Sequence, residues 1–258
     1  MIDAQEKIRI MLSGVSANAS LSDLLTALER LQASLPVPDL IDLLISSPSS
    51  IETIAEKSYS HANGFDKILL GETTTCKLRL HIWWNGIDGI ESDLHNHNWD
   101  FASNILCGSL KTELFDISDS ADSESYLHYR YTPASIASMQ YDMTCFGKRT
   151  LRKTFATDHG AGRSYAIDHR QIHGGNPSVS QPTATMVLQS QTRTESTSVF
   201  SANLEKRFHG AVICEPFSTV AILRKFANLK ALLDRQAQPV NQVPTKILPT
   251  RSRIAPID

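Results

Sequence analysis

The stretch that decides the fold, "DLHNHNWDFASNILCGSL" at residues 93–110, places two histidines one residue apart ahead of an apolar run that closes at Gly108. In a β-strand, successive side chains point to opposite faces, so His95 and His97 face the same way with Cα atoms about 7 Å apart. Two imidazoles in that arrangement can converge on one metal ion. The alternative interpretation is an exposed polar loop, because Asn96 and Asn98 flank the pair.

The sequence around this stretch predicts a mainly β protein with helices at both ends. From about residue 66 onward, ten short runs rich in β-branched and aromatic residues follow one another with no long helical pattern between them. Such a succession indicates an antiparallel sandwich or barrel rather than βαβ units. We therefore expect a helical N-terminal extension packed on the barrel at 1–60, a β-barrel at 61–215 and a C-terminal helix at 216–237. The Pro-containing tail at 238–258 is expected to be extended or disordered.

Composition limits the classes of function. The chain has 258 residues, 25 Lys plus Arg against 27 Asp plus Glu, and a formal net charge of -2, so neither nucleic acid nor a membrane is an expected partner. The four cysteines form no CxxC pair, which is typical of reduced thiols. No run approaches the roughly 18 apolar residues of a membrane span, and the first residues lack the basic and apolar regions of a signal peptide. We expect a cytoplasmic protein.

Residues 90–110 resemble the first signature motif of the cupin superfamily, whose members are small double-sheet barrels of the jelly-roll type. That motif has His, one residue, His, three or four residues, Glu, six residues and Gly. His95, His97 and Gly108 match it, and Phe101 occupies the position of the glutamate.

Residues 160–190 resemble the second cupin motif, which has Gly, five residues, Pro-x-Gly, two residues, His, three residues and Asn. Gly162 and His173 match, "DHR" at 168–170 replaces Pro-x-Gly, and Asn176 comes one residue early. The two partial motifs follow in the right order, so the resemblance implies a cupin double-stranded β-helix barrel over about 120 residues.

The resemblance implies a divalent metal held by His95, His97 and His173, with Fe(II) as the preferred ion and Mn, Ni, Cu and Zn as alternatives. Without the glutamate, three neutral imidazoles leave up to three open positions, a design related to the facial triad of non-heme iron oxygenases. In ligand set alone, it resembles the three-histidine thiol dioxygenases. Asp100 is either a fourth ligand, if a bulge at Trp99 turns it inward, or the acceptor of a hydrogen bond from a ligand imidazole.

Five further residues are candidates for catalysis or substrate binding. Tyr165 and His169 could move a proton or donate a hydrogen bond, although a buried tyrosine satisfied by backbone and a solvent-facing histidine are the alternatives. Arg79 alternates with apolar residues in "CKLRLHIWW" and could clamp a substrate carboxylate if it faces inward. Gln140 and Asn104 lie in predicted strands, where an inward amide would need a polar partner such as the substrate.

Three functions are compatible with these residues. The first is an O2-dependent oxidation, by a non-heme Fe(II) dioxygenase, of a small polar metabolite that bears a carboxylate. The second is a metal-dependent isomerase, epimerase or lyase that uses no O2, and the third is a small-molecule-binding protein without catalysis. Cupins often pair through sheet edges, so a homodimer is also expected.

Overall fold

The structure is a computed structural model and describes residues 4–84, 93–133, 140–204 and 209–237. Within these residues, the helices are α1 (Ala4–Leu12), α2 (Leu21–Ser34), α3 (Val37–Ile45), α4 (Pro48–Glu56) and α5 (Thr219–Ala237). The strands are β1 (Tyr59–Ser60), β2 (Asp66–Glu72), β3 (Cys76–Trp83), β4 (Leu94–His95), β5 (Phe101–Cys107), β6 (Ser109–Ile117), β7 (Glu124–Pro133), β8 (Gln140–Gly160), β9 (Ser164–Ile167), β10 (Ile172–Pro177), β11 (Thr183–Ser190), β12 (Thr197–Ser201) and β13 (Gly210–Ile213). The tail at 238–258 lies outside the described residues.

The strands form two antiparallel sheets. The first sheet has the order β1-β2-β3-β11-β5-β9, and the second has the order β13-β8-β6-β10-β4-β12-β7. The 21-residue strand β8 pairs with β7 and β13 in its first part and with β6 in the rest. The prediction of a mainly β fold with helices at the two ends is confirmed.

The helices form because their apolar residues recur at one-turn spacing and their ends are capped. In α2, Leu24, Leu28 and Leu31 are buried on one face. Ser20 caps the helix, since its hydroxyl accepts from the backbone N–H of Asp23 while the Asp23 carboxylate accepts from the backbone N–H of Ser20. None of the described helices combines the length and the apolarity needed to cross a membrane.

The largest hydrophobic cluster lies between the helices and the outer face of the first sheet. Alternate residues of β3, namely Leu78, Leu80 and Ile82, are fully buried there with residues of α1 to α5. Because side chains alternate across a strand, Arg79 and His81 leave the sheet on the opposite face, toward the second sheet. The polar face of "CKLRLHIWW" therefore looks into the space between the sheets.

Gly108 forms the tight turn from β5 to β6. Its φ of +73° lies in the left-handed region, and a Cβ atom there would stand 2.4 Å from the backbone oxygen of Pro182. Only glycine is free of both restrictions. The glycine of the first motif thus lets the chain pass directly from β5 in the first sheet to β6 in the second sheet.

Candidate metal centre

Three histidines from two strands and a loop converge between the sheets. The ring centroids of His95 and His97 are 4.8 Å apart, those of His95 and His173 are 4.8 Å apart, and those of His97 and His173 are 5.0 Å apart. One ligand atom from each ring lies within 4.8 Å of the others, so the three could hold one metal ion. His173 is only 6% exposed.

Strand register explains this convergence. The Cα of His95 in β4 stands directly opposite that of His173 in β10. Residues opposite each other in an antiparallel pair project to the same face. His97 lies just beyond the end of β4, and its ring lies beside those of both His95 and His173. The backbone N–H of His97 donates to the carbonyl of His169 at 3.0 Å, which holds the loop after β4 in place.

The hydrogen bonds leave ring nitrogens available for a metal. His95 Nδ1 donates to the carbonyl of Asp93 at 2.9 Å, and His173 Nδ1 donates to the carbonyl of Gln171 at 3.1 Å. Each ring therefore keeps the lone pair of Nε2 for a ligand, and the backbone carbonyl fixes the tautomer. The chemistry of this donor set fits a divalent ion that prefers nitrogen ligands.

Burial keeps all three imidazoles neutral. It lowers the pKa of His95, the pKa of His97 to well below its usual value, and the pKa of His173 to about 3. The neighbouring histidines lower the pKa of His97 and of His173 further, because two imidazolium ions at this distance repel each other. Since only neutral imidazole binds a metal, the folded chain presents its ligands ready at neutral pH.

Aromatic rings form the wall around the histidines. Trp99 stacks on His97 with 4.0 Å between ring centroids. The Phe101 ring is perpendicular to that of His97, with 5.2 Å between their centroids. Phe101 is also 5.7 Å from His173, so an apolar ring stands beside two of the ligands where the first motif has its glutamate. The described cluster consequently contains no negative charge.

Asp100 lies with His169 instead of with the three histidines. Its Oδ1 accepts from both the backbone N–H and the Nδ1 of His169, at 2.8 and 2.7 Å. Its Oδ2 accepts from Nε of Arg193 at 3.2 Å, and Arg193 also donates to the carbonyl of Ala19 in the segment before α2. The carboxylate thus fixes the ring of His169, whose backbone in turn supports His97.

Of the five other candidate residues, Arg79 and Tyr165 lie close to the aromatic wall. The Arg79 guanidinium carbon is 5.6 Å from the Trp99 ring, and the guanidinium NH1 is buried without a hydrogen-bond partner among the described residues. Tyr165 lies 6.1 Å from Phe101, and burial raises the pKa of its phenol against the opposing effect of two neighbouring hydroxyl groups. Both side chains reach the interior through the alternation of their strands.

The structure does not bring Asn104 and Gln140 to the histidines. Asn104 lies on the helix-covered face of β5, where its Oδ1 accepts from Gln32 of α2 at 3.0 Å and its Nδ2 donates to Ser164 at 2.9 Å. Gln140 begins β8 at an exposed position, with its Cα opposite Ile213 of β13. Strand alternation decides the first placement, since Phe101 and Ser103 take the inner face of β5.

Two residues near the site escaped the sequence analysis. The Trp99 ring contacts both His97 and the Arg79 guanidinium, and no pattern in the surrounding sequence predicts these two contacts. Lys67 lies on the inner face of β2, with its Cα opposite that of His81. The alternation of "DKILLG" could have revealed Lys67, because Ile68 and Leu70 belong to the helix-covered core and a strand turns every second residue the other way.

Neither a family model nor a curated protein matches the sequence. Among solved structures, KdgF from Halomonas sp. is 12% identical with a TM-score of 0.32, over 53% of this chain and 86% of that one. An RmlC-like cupin from Shewanella frigidimarina is 12% identical with a TM-score of 0.32, over 53% of this chain and 84% of that one. Hydroquinone 1,2-dioxygenase from Sphingomonas sp. TTNP3 is 12% identical with a TM-score of 0.30, over 59% of this chain and 74% of that one. Both identity and TM-score are low, so no residue's role is transferred from them. The solved structures that match include proteins described as a cupin and as a double-stranded β-helix domain.

Proposed function

We propose that this chain is a metal-dependent enzyme in which His95, His97 and His173 hold one divalent ion, Fe(II) in the first instance. The reaction we propose is the O2-dependent oxidation of a small, polar, carboxylate-bearing metabolite. The observation that carries this proposal is the convergence of three neutral imidazoles, with ligand atoms within 4.8 Å of one another, in a cluster without a carboxylate. When bound, a ferrous ion with three neutral protein ligands supplies electrons for O2 reduction and keeps positions for substrate and O2.

The side chains around the histidines would bind and orient the substrate. Among the described residues, nothing pairs with one buried N–H group of Arg79, and the planar fork of this side chain suits a carboxylate. Trp99 and Phe101 exclude water from one side of the histidines, which strengthens the electrostatic interactions there. Tyr165 keeps its proton at neutral pH, because burial raises its pKa, so it can donate a hydrogen bond but not act as a base.

Metal content tests the ligand assignment. We expect about one equivalent of metal in protein purified without oxygen, and loss of most of it in His173→Ala. The matched control is His209→Ala, which removes an exposed histidine outside the cluster. Elemental analysis would also identify which of Fe, Mn, Ni, Cu or Zn is bound. An unchanged metal content in His173→Ala would refute the assignment.

Oxygen consumption tests the reaction. The Fe(II)-loaded protein should consume O2 only with a carboxylate-bearing substrate, and Arg79→Met should raise KM by about tenfold or more. If the loaded protein turns over a substrate at the same rate with and without O2, the oxidation is refuted.

The pair of Asp100 and His169 favours a second candidate, an isomerase, epimerase or lyase that moves a proton without O2. A carboxylate bound to Nδ1 fixes the imidazole so that Nε2 is the free acceptor, which is how a general base is held. Asp100→Asn should then lower proton exchange between substrate and solvent by about 10- to 100-fold while metal content stays the same. Exchange measured by NMR in D2O under argon decides between the two candidates, since the oxidation predicts none.

A further inference from the structure

Two cationic side chains share the inner face of the first sheet. Lys67 stands opposite His81 across β2 and β3, and Arg79 precedes His81 by two residues, so all three project to the same side. The Lys67 ammonium lies 5.5 Å from the centroid of the Tyr59 ring, and the Arg79 guanidinium lies over Trp99. Burial lowers the pKa of both groups, and the Arg79 charge lowers the pKa of Lys67 further.

No carboxylate in the described part of the chain pairs with either cation, because the nearby acids are engaged elsewhere. Glu72 binds Lys57 at 2.6 Å and Lys77 at 2.9 Å, toward the surface. Asp66 faces the helices and binds Lys225 of α5 at 2.5 Å. An unpaired buried charge destabilises a folded protein by several kcal/mol. Two such groups on one face of the sheet therefore indicate a ligand that supplies the missing negative charge.

Polar atoms without partners lie beside the two cations. Nε2 of His81 and Oε1 of Gln189 are buried and have no hydrogen-bond partner among the described residues. Gln189 lies on β11 with its Cα opposite Lys77, on the inner face beside Arg79. Buried polar groups are nearly always hydrogen-bonded, so this set indicates a site for a polar ligand rather than part of the packed core. Nε2 of His81 can donate to an acid oxygen, whereas Oε1 of Gln189 accepts and would need a donor such as a hydroxyl group of the ligand.

The charges also favour a ligand with more than one negative group. A divalent ion on three neutral imidazoles would keep both of its positive charges, the Arg79 guanidinium adds one more, and a bound acid group would favour the protonated form of Lys67. The Trp99 ring contacts both groups, with its centroid 4.0 Å from that of His97 and 5.6 Å from the Arg79 guanidinium carbon. A ligand that reaches both groups would therefore have to span this one ring.

We propose that the substrate is a small dianionic acid, with one acid group between Arg79 and Lys67 and the second directed at the metal position formed by His95, His97 and His173. The second half of this inference rests on the proposed function, whereas the first half does not need the metal. The class comprises short dicarboxylates and acids with a comparable second oxyanion.

Calorimetric titration of metal-free protein tests the cation site alone. Succinate and its monoamide succinamate should bind similarly, and the neutral diamide succinamide should not bind. Lys67→Met should weaken succinate binding by about tenfold or more, as the loss of a buried charge partner does. The control Lys230→Met, which removes a lysine paired with Asp42 on the exposed side of the helices, should change the affinity less than twofold.

Stability separates lost binding from lost folding. Because Lys67→Met removes an unpaired cation from the interior, its melting temperature without ligand should be higher than that of the parent protein. A lower melting temperature, equal effects of the two lysine variants, or binding of the diamide would each overturn the cation site. These outcomes do not depend on metal content or O2 consumption, so they leave the proposed function to its own tests.

Loading with Zn²⁺, which does not react with O2, tests the second acid group. Succinate should then bind about tenfold more tightly than succinamate, because only the diacid reaches both the cations and the metal. Equal gains for the two compounds would refute the dianion. His173→Ala should abolish the difference while keeping the metal-free affinity.

Discussion

Acid should destabilise the metal-free protein through its buried histidines. The pKa is lowered by burial in five of them, His61, His81, His95, His97 and His173. In the unfolded chain, the same side chains titrate near 6.5. As the pH falls below that value, the unfolded state takes up protons that the folded state does not bind, so the free energy of unfolding decreases. For His173, the loss continues until the pH reaches about 3.

The magnitude per histidine follows from linkage. Between pH 7 and pH 5, a group that titrates near 6.5 only in the unfolded state lowers the free energy of unfolding by about 2 kcal/mol. For His173, whose pKa of about 3 lies below this whole range, the loss is the full amount, a large fraction of the stability of a typical domain. The other four histidines act in the same direction, so the metal-free protein should be clearly less stable at pH 5 than at pH 7.

His81→Phe isolates one of these contributions. Phenylalanine can keep the stacking with Phe65, whose ring centroid is 4.5 Å from that of His81, and it removes both the titration and the unpaired Nε2. Urea unfolding at pH 7, 6 and 5 should show that the variant loses about 2 kcal/mol less than the parent protein over this range. If both lose the same amount, His81 is not held neutral by burial and the reasoning fails.

Two further substitutions test features of the fold. Gly108→Ala should lower the free energy of unfolding by about 2 kcal/mol or more, because of its positive φ and the backbone oxygen 2.4 Å from the new Cβ. Gly160→Ala, whose new Cβ would meet nothing within 4 Å, should lower the free energy of unfolding by less than half as much in the same urea titration. Lys225→Met should lower the free energy of unfolding by about 3 kcal/mol, because the substitution leaves the buried Asp66 without its cation. Lys230→Met removes an exposed ion pair and should change the free energy of unfolding by less than about 1 kcal/mol. Equal losses within either pair would contradict the corresponding explanation.

The three-histidine cluster could be predicted from sequence, through the two-residue spacing of His95 and His97 and through the motif spacing of His173. The argument from strand alternation holds only in part, because β4 ends at His95 and His97 lies in the loop that follows. The structure adds the reason, which is that His173 and His95 are direct partners across β10 and β4. The need for glycine at position 108 could likewise be predicted, since the positive φ of this residue depends on the turn alone.

The direction of polar residues in two-sided strands could not be predicted in this way. In β5, both faces are apolar, with Phe101 and Ile105 on one side and Ala102 and Leu106 on the other. Periodicity therefore gives no sign of which side the helices cover, and Asn104 falls on the helix side. The partner of Asp100 is likewise 69 residues away, at a distance that no local pattern encodes.

The position of the main core explains how the interior can hold so many polar groups. In many two-sheet proteins, the space between the sheets is the hydrophobic core. Here the largest cluster of buried apolar residues lies outside, where α1 to α5 cover the first sheet, and the clusters that adjoin the histidines are small and largely aromatic. Burial of this outer layer supplies the stability that the unpaired cations and neutral histidines oppose. The helices at both ends of the chain are thus part of the same fold as the candidate metal centre, because without them the first sheet would expose its apolar face.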